Sequence, residues 1–177
     1  MNKTYQTEIY RSFLINGLPE PLTPASSHLQ IFDNYIENTR IRLRSIRIPE
    51  DNKWTWVLQQ RFPVKPEDFS VWKSSQIFLN ENEYQVFEQF EGREIRKNRY
   101  FHELDGKELE FDIFLGKLWG LNLMNVYFET LEEMNDFQLP PFVVYEVTNY
   151  EFFTGENLVG KSFTDVQLKF QKIQDEK

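Results

Sequence analysis

The stretch Thr39-Arg40-Ile41-Arg42-Leu43-Arg44 alternates apolar and basic side chains with a period of two residues. In a β-strand, this period places the three arginines on one face and the two aliphatic residues on the other. Three neighbouring guanidinium groups repel one another, so their face needs water, carboxylates or a polyanion. The stretch therefore predicts a strand that is either a solvated edge strand or one wall of an anion site.

The composition indicates what kind of protein contains this strand. The chain has 177 residues, of which 40% are hydrophobic and 27% charged, which predicts one soluble globular domain over 1–177. The 17 Phe favour strands. The net charge of −8 argues against a general nucleic-acid binder and predicts no duplex partner. A basic strand in an acidic chain therefore indicates a local anion site or internal pairing with carboxylates.

Several classes of chemistry are excluded or disfavoured by residue types. There is no cysteine, hence no disulfide, thiolate nucleophile or zinc–thiolate site. With only His28 and His102, a histidine metal cluster or a Ser-His-Asp triad is not expected. No apolar run approaches the ~20 residues of a membrane span, so no membrane partner is predicted. Met1-Asn2-Lys3 leads straight into a polar strand without a signal-peptide pattern, which predicts a cytoplasmic protein.

Turn signals and alternation predict about eight or nine strands, mostly joined by hairpins, with three short helices between them. The first strand is predicted over 4–15, with Glu8, Tyr10 and Ser12 on one face. A hairpin is predicted over 39–62, ended by Pro63 and Pro66. The remaining predictions are an extended or helical segment at 31–37, strands at 70–79, 95–104, 108–115, 123–129 and 142–149, helices from Asn80 to Gly92 and from Thr130, a loop around Gly155 and Gly160, and an amphipathic C-terminal helix at about 164–176 after a core at about 4–160.

So many antiparallel strands form either a sandwich or a closed barrel. A wide closed barrel explains the arginine strand, because its inner wall can hold polar side chains while helices cover its apolar outer face.

An ordered set of short motifs runs along the chain. In order they are Glu8-Ile9-Tyr10-Arg11-Ser12-Phe13-Leu14, Tyr35-Ile36, the arginine strand, Leu58-Gln59-Gln60-Arg61, Lys97-Asn98-Arg99-Tyr100, Glu110-Phe111-Asp112-Ile113-Phe114, Met124-Asn125-Val126-Tyr127-Phe128 and Glu146-Val147-Thr148. The set resembles the CYTH, or triphosphate tunnel metalloenzyme, superfamily from Glu8 to about Leu158. The resemblance implies an α+β, mainly β fold: an antiparallel eight-stranded tunnel-like barrel with short helices outside and a C-terminal helix.

The resemblance also implies roles for individual residues. Basic side chains would bind the phosphates of a phosphorylated small molecule or polyphosphate: Arg40, Arg42, Arg44, Arg61, Lys97 and Arg99. Glu8, Asp112 and Glu146 would hold Mg²⁺ or Mn²⁺ weakly, and no catalytic residue is assigned. Two residues have an alternative reading, because Lys97 and Arg99 could pair across a hairpin with Glu108 and Glu110.

The chain departs from the family pattern mainly at acidic positions. Tyr10 stands at the second glutamate of the opening motif, and Ser12 stands at its lysine. Asn125 and Tyr127 stand at both glutamates of a later strand. A hard divalent cation needs several oxygen ligands, including carboxylates, and metal-assisted phosphoryl transfer depends on that cation. These replacements predict a weakened metal site beside a retained basic wall.

Three functions are compatible with this pattern. The first is a tunnel protein that binds a triphosphate, polyphosphate or other phosphorylated anion with weak or absent hydrolysis. The second is a Mg²⁺-dependent triphosphatase or organic-phosphate hydrolase. The third is a structural or interaction protein on a retained barrel whose interior charges pair with one another.

Overall fold

A computed structural model describes residues 4–90 and 92–176. Within this part of the chain, nine strands dominate: β1 (Gln6–Ile15), β2 (Leu29–Ile36), β3 (Ile41–Ile48), β4 (Lys53–Lys65), β5 (Asp68–Leu79), β6 (Gly92–Leu104), β7 (Lys107–Phe114), β8 (Asn122–Phe128) and β9 (Val143–Glu146). The α-helices are α1 (Glu81–Glu88), α2 (Leu131–Asp136), α3 (Gly155–Leu158) and α4 (Phe163–Asp175), with 3₁₀ turns at Gly116–Leu118 and Glu151–Phe153.

Eight of these strands close into a barrel. Going around the wall, the order is β1, β5, β4, β3, β2, β6, β7, β8 and again β1, with every pair antiparallel. The strand β9 pairs with the end of β1, beyond the residues that pair with β5. The predicted mainly β, eight-stranded antiparallel tunnel with a C-terminal helix is therefore confirmed.

One apolar cluster of this barrel lies outside its wall. On β7, Leu109 and Phe111 are fully buried outside, where Phe142 and the segment after β8 cover them, while Asp112 faces the interior. A second cluster joins Val166 and Ile173 of α4 to one end of the barrel, where apolar side chains also face the interior. Away from this end, the alternation seen in the sequence separates an apolar outer face from a polar inner face, as it does on β7.

Capping groups fix where two helices begin. The side chain of Asn80 accepts from the backbone N–H of Glu83, and the Glu83 carboxylate accepts from the backbone N–H of Asn80. Ser162 and Asp165 form the same reciprocal pair at α4. Both predicted helix starts are confirmed to within about one or two residues. No helix of the described residues is long and apolar enough to cross a membrane.

Several predicted boundaries were wrong. The strand β4 runs past Pro63 to Lys65, because a bulge against β5 lets the chain continue without a ladder donor there. The first helix ends at Glu88, so Gly92 begins β6 instead of ending the helix. The last strand stops at Glu146, where its pairing with β1 ends. Segment 31–37 lies in a strand over most of its length, and the predicted loop around Gly155 contains α3.

Candidate anion-binding tunnel

A cavity of about 380 Å³ lies inside the barrel. Its lining changes from apolar to polar along three neighbouring strands. The change runs from Ile95 to Arg99 on β6, from Phe114 to Glu110 on β7, and from Leu123 to Tyr127 on β8. The apolar ends of these rows pack in one cluster with Phe153 and Leu158. The cavity therefore has one apolar end, which the segment 153–158 covers, and one polar end.

The lining carries equal numbers of cationic and anionic side chains. The five cations are Arg42, Arg44, Arg61, Lys97 and Arg99, and the five carboxylates are those of Glu8, Asp33, Glu110, Asp112 and Glu156. Five of the six predicted phosphate-binding residues are thus brought together. The carboxylates were only partly anticipated, since the sequence pattern had indicated a mainly basic wall.

Asp33 lies at the centre of the first charged cluster and is 1% exposed. Its two carboxylate oxygens accept from Nε and Nη2 of Arg44 at 2.6 and 2.8 Å, and Nη1 of Arg42 lies 3.4 Å from Oδ2. Burial alone would raise the pKa of Asp33, but the two arginines outweigh it and hold this pKa well below its usual range. Asp33 is therefore a carboxylate that orders the two arginine side chains.

Asp112 holds the second charged cluster. Its oxygens accept from Nζ of Lys97 at 2.7 Å, from Nε and Nη2 of Arg99 at 2.6 and 2.8 Å, and from the amide of Asn125 at 3.2 Å. Burial would raise the pKa of Asp112, yet Arg99 and Lys97 keep it well below its usual range. Burial lowers the pKa of Lys97 to about 8, although Asp112 favours its charged form.

The alternative pairing of Lys97 and Arg99 across the hairpin is realised only in part. Nη1 of Arg99 contacts Glu110 at 2.6 Å, but Asp112 is the shared partner of both cations. Burial raises the pKa of Glu110 even though Arg99 opposes the shift.

Arg61 forms a third ion pair, in which Nε donates to Glu8 at 2.7 Å. Its guanidinium carbon lies 4.3 Å from the ring centre of Trp72 and 4.9 Å from that of Tyr10. Among the described residues, its buried Nη2 has no hydrogen-bond acceptor. This nitrogen is therefore a donor that a ligand in the cavity could use.

The four positions that depart from the family motifs lie opposite one another on β1 and β8. Tyr10 faces Tyr127 across the ladder, with ring centroids 5.6 Å apart and planes inclined by 26°. Ser12 faces Asn125, and the Ser12 hydroxyl donates to the Asn125 amide oxygen at 2.8 Å. The four replacements therefore contact each other in pairs and fill this wall with uncharged groups.

Two predicted site residues lie away from the cavity lining. Arg40 precedes β3, is exposed, and holds its guanidinium 4.4 Å from the ring centre of Phe62. Glu146 accepts from Nε and Nη2 of Arg11 at 2.9 and 2.7 Å and from the hydroxyl of Thr148 at 2.8 Å. The structure therefore does not bring Glu146 together with Glu8 and Asp112, and the described residues contain no group of three or more acidic or histidine side chains arranged to hold a metal.

Two lining carboxylates escaped the sequence analysis. Alternation in β2 places Ile31, Asp33 and Tyr35 on one face, and the register sets Asp33 directly opposite Arg44. The alternation in β2 is thus a signal for Asp33, but the sequence of this segment is compatible with both a strand and a helical turn. Glu156 has no such signal, because it reaches the lining only where α3 folds over the barrel.

Comparison with known proteins agrees with the architecture. No family model matches the chain. It is 28% identical over 163 residues to the inorganic triphosphatase of Nitrosomonas europaea, covering 86% of this chain and 96% of that protein. The crystal structure of the inorganic triphosphatase NE1496 matches with a TM-score of 0.57 and 25% identity over 86% of this chain and 93% of the other. A crystal structure of the hypothetical protein NE1496 shares the fold, with a TM-score of 0.58 and 24% identity over 88% of this chain and 99% of the other.

The closed tunnel, its paired charges and the ordered motifs define a class of barrel proteins with a charged interior. Together with the similarity to the inorganic triphosphatase, they support membership of the CYTH, or triphosphate tunnel metalloenzyme, superfamily.

Proposed function

We propose that the tunnel binds a triphosphate, polyphosphate or similar phosphorylated anion and hydrolyses it weakly or not at all. The observation that carries this proposal is the pairing of Tyr10 with Tyr127 and of Ser12 with Asn125. Tyr10, Asn125 and Tyr127 are uncharged where the family pattern has carboxylates, and Ser12 is uncharged where it has a lysine, while five cations remain in the lining. Anion binding is therefore better supported than metal-assisted turnover.

The cations can accept a ligand without leaving their carboxylates. A guanidinium group has five N–H donors, and the carboxylate of Asp33 engages only Nε and Nη2 of Arg44. Arg61 adds an unused buried donor. Phosphate oxygens would form charge-assisted hydrogen bonds to these groups, and arginine suits them because of its planar fork of donors.

Mg²⁺-dependent hydrolysis of a triphosphate is the second candidate. It is favoured by the similarity to an inorganic triphosphatase and by the presence of Glu8 and Asp112 in the lining. Both carboxylates are already engaged by cations, so the fit to a resident metal is poor. Mg²⁺ is usually held by one or two carboxylates together with substrate phosphates, so a metal would arrive with its ligand.

The cytoplasmic location of the protein and its division into a single domain also stay predictions.

Thermal unfolding with tripolyphosphate, pyrophosphate and ATP, each with and without Mg²⁺, tests binding. A ligand that binds only the native state adds about 2.7 kcal/mol at a hundred times its dissociation constant. We expect stabilisation without metal and little release of phosphate. Mg²⁺-dependent release that disappears in Glu8→Gln would support the second candidate. No shift with any of the compounds would contradict both and leave a barrel whose charges stabilise only itself.

A matched pair of arginines on β3 provides the control. Arg44 lines the tunnel, whereas Arg47 on the same strand pairs with Asn52 on the surface. Arg44→Gln should abolish the ligand-dependent shift, and Arg47→Gln should keep it. Because Arg44→Gln leaves Asp33 with one cation fewer, the double variant Asp33→Asn/Arg44→Gln separates loss of binding from loss of folding.

A further inference from the structure

A row of aromatic side chains lies on the outer face of β2, β3 and β4, across the wall from the tunnel. Phe32 on β2 stands opposite Ser45 on β3, and Ser45 stands opposite Trp56 on β4. The ring centre of Trp54 lies 5.8 Å from that of Phe32 and 6.5 Å from that of Trp56, and the two indole planes are inclined by only 7°. Because Ser45 is small, it leaves a hollow between the larger rings.

The helix α1 covers this row only in part. Its Tyr84 stacks on Trp56 with ring centres 5.4 Å apart, but none of the helix residues is buried. Trp54 remains 41% exposed, and Phe90, just after the helix, is 52% exposed. The outer face of β7 differs, since Phe111 is fully buried there. The helix therefore leaves an open cleft of about 510 Å³ above the strands instead of sealing them.

The lining of this cleft combines aromatic rings with negative charge. Four aromatic side chains contribute to it, those of Phe32, Trp54, Tyr84 and Phe90. Among the described residues, the only charged side chains of the lining are the carboxylates of Glu88 and Glu94. No lining residue is shared with the tunnel, so the cleft is a separate site.

The two carboxylates supply charge more readily than hydrogen bonds. Glu94 is paired with Arg96, and the Glu88 carboxylate accepts from the hydroxyl of Tyr84 at 3.1 Å. Within the described part of the chain, Glu88 has no ion-pair partner, so its negative charge is not offset. A primary ammonium group needs acceptors for three N–H donors, whereas a quaternary ammonium group has no N–H donor to satisfy. The cleft is therefore better matched to a quaternary cation.

Cations of the protein already lie against two rings of the row. The guanidinium carbon of Arg96 lies 5.7 Å from the ring centre of Phe32, and that of Arg47 lies 5.9 Å from a ring centre of Trp54. The face of an aromatic ring carries negative charge density and attracts a cation within about 6 Å of its centre. Cages of several aromatic side chains recognise quaternary ammonium groups in this way.

We propose that the cleft between α1 and the outer face of β2, β3 and β4 binds the quaternary ammonium group of a small organic molecule. Its volume lies within the range of about 300–1,000 Å³ that is typical of small-molecule sites, so the cleft has room for more than the head group. The inference is independent of the proposed function, because the lining residues and the charge of the ligand both differ from those of the tunnel.

Calorimetric titration of the full chain with choline tests the site. The comparison ligands are the neutral analogue of choline, in which carbon replaces the nitrogen, and ethanolamine, which carries a primary ammonium group. Choline should bind, and its neutral analogue should bind at least about fivefold more weakly, because it lacks the charge that the rings and Glu88 attract. Ethanolamine should also bind more weakly, because its N–H donors would lose water without finding enough acceptors.

Variants of the lining separate the contributions of the rings and the charge. Trp54→Ala should weaken choline binding about twofold to about thirtyfold, whereas Trp54→Phe should retain most of it because a ring remains. Glu88→Gln removes the charge but keeps an oxygen that can accept from Tyr84, and should weaken binding about fivefold. Trp119→Ala and Glu81→Gln are the matched controls, since both residues are exposed and lie outside the lining.

No binding of choline, or equal binding of choline and its neutral analogue, would overturn the proposal. The same conclusion would follow if Trp54→Ala and Glu88→Gln, with unchanged melting temperatures, both bound choline as the wild-type protein does. Binding to phosphatidylcholine vesicles without binding of free choline would assign the cleft to a membrane surface and contradict a small-molecule site. Because tripolyphosphate binding is measured separately, each of these results leaves the proposed function of the tunnel intact.

Discussion

At the scale of single residues, the tunnel cations differ in how firmly they keep their charge. Arg42 remains charged in the interior, because Asp33 and Tyr35 more than offset the burial that would lower its pKa. Lys97 is buried as well, and burial lowers its pKa to about 8. An arginine keeps its proton at any ordinary pH, whereas a buried lysine does not. The charge of the cavity therefore depends on pH near neutrality through Lys97.

This difference predicts how anion binding responds to pH. As pH rises through about 8, the free tunnel loses the positive charge of Lys97, so the affinity for tripolyphosphate should fall. Lys97→Arg should hold its affinity to a higher pH because its charge persists. Dissociation constants measured between about pH 7 and 9.5 check this. The ligand's own ionisation affects both proteins alike, and parallel profiles would exclude Lys97 as the cause.

At the scale of elements, the position of the helix α3 determines how the apolar end of the tunnel is covered. Gly155 begins this helix, and a Cβ added there would stand 1.8 Å from the hydroxyl oxygen of Tyr35. The side chain of Tyr35 cannot move away easily, because its hydroxyl oxygen also accepts a hydrogen bond from Nη1 of Arg42 at 3.1 Å. The backbone of α3 thus packs directly against Tyr35, so the position of this helix depends on the charged lining of the tunnel.

Gly155→Ala should therefore destabilise the fold by about 1–3 kcal/mol, as overpacking does elsewhere. Urea unfolding measures the change. Gly17→Ala is the matched control, because nothing lies within 4 Å of a Cβ added there. Adding Tyr35→Phe to Gly155→Ala should recover part of the loss, since it removes the clashing oxygen. Equal stability of the two glycine variants would show that α3 shifts freely.

At the scale of the whole molecule, stability comes from apolar clusters that adjoin the charged part of the tunnel. One cluster lies between the outer faces of the strands and the covering segments, and the other closes the apolar end of the tunnel. The helix α4 contributes Val166 and Ile173 to the second cluster. Losing that contact should weaken the entire barrel, although α4 itself supplies no residue to the tunnel lining.

Two residues of α4 test this arrangement. Ile173→Ala should lower the free energy of unfolding by about 2–5 kcal/mol, because Ile173 is 2% exposed. Leu168→Ala, at a position that is 54% exposed, should change it by less than about 0.5 kcal/mol. Chemical denaturation of both variants provides the comparison. A small effect of Ile173→Ala would place the stability of the barrel elsewhere.

The fold could be predicted well because its signals are local. Alternation along β3 and the Asn80 cap are each contained in a few neighbouring residues. The ends of the elements were predicted less accurately. Pro63 lies within a strand because a bulge accommodates it, and that bulge depends on the partner strand. Among the residues of the candidate site, the five cations and the carboxylates of Glu8 and Asp112 were predicted to lie together. Asp33 and Glu156 were not, since they reach the lining through register and chain reversal.

By itself, the sequence determined the strands, their inner and outer faces, and the arginines that point inward, because a two-residue period assigns every side chain to a face. Only the tertiary structure decided which charges meet. It placed Asp33 between two arginines, joined Asp112 to Lys97 and Arg99, and moved Glu146 out of the lining to Arg11. It also set Tyr10 against Tyr127. The contacts of Asp33 and Asp112 depend on the register between consecutive strands, which a two-residue period alone does not specify. The contacts of Tyr10 with Tyr127 and of Arg11 with Glu146 join β1 to strands far apart from it in the chain, and no local pattern specifies that register.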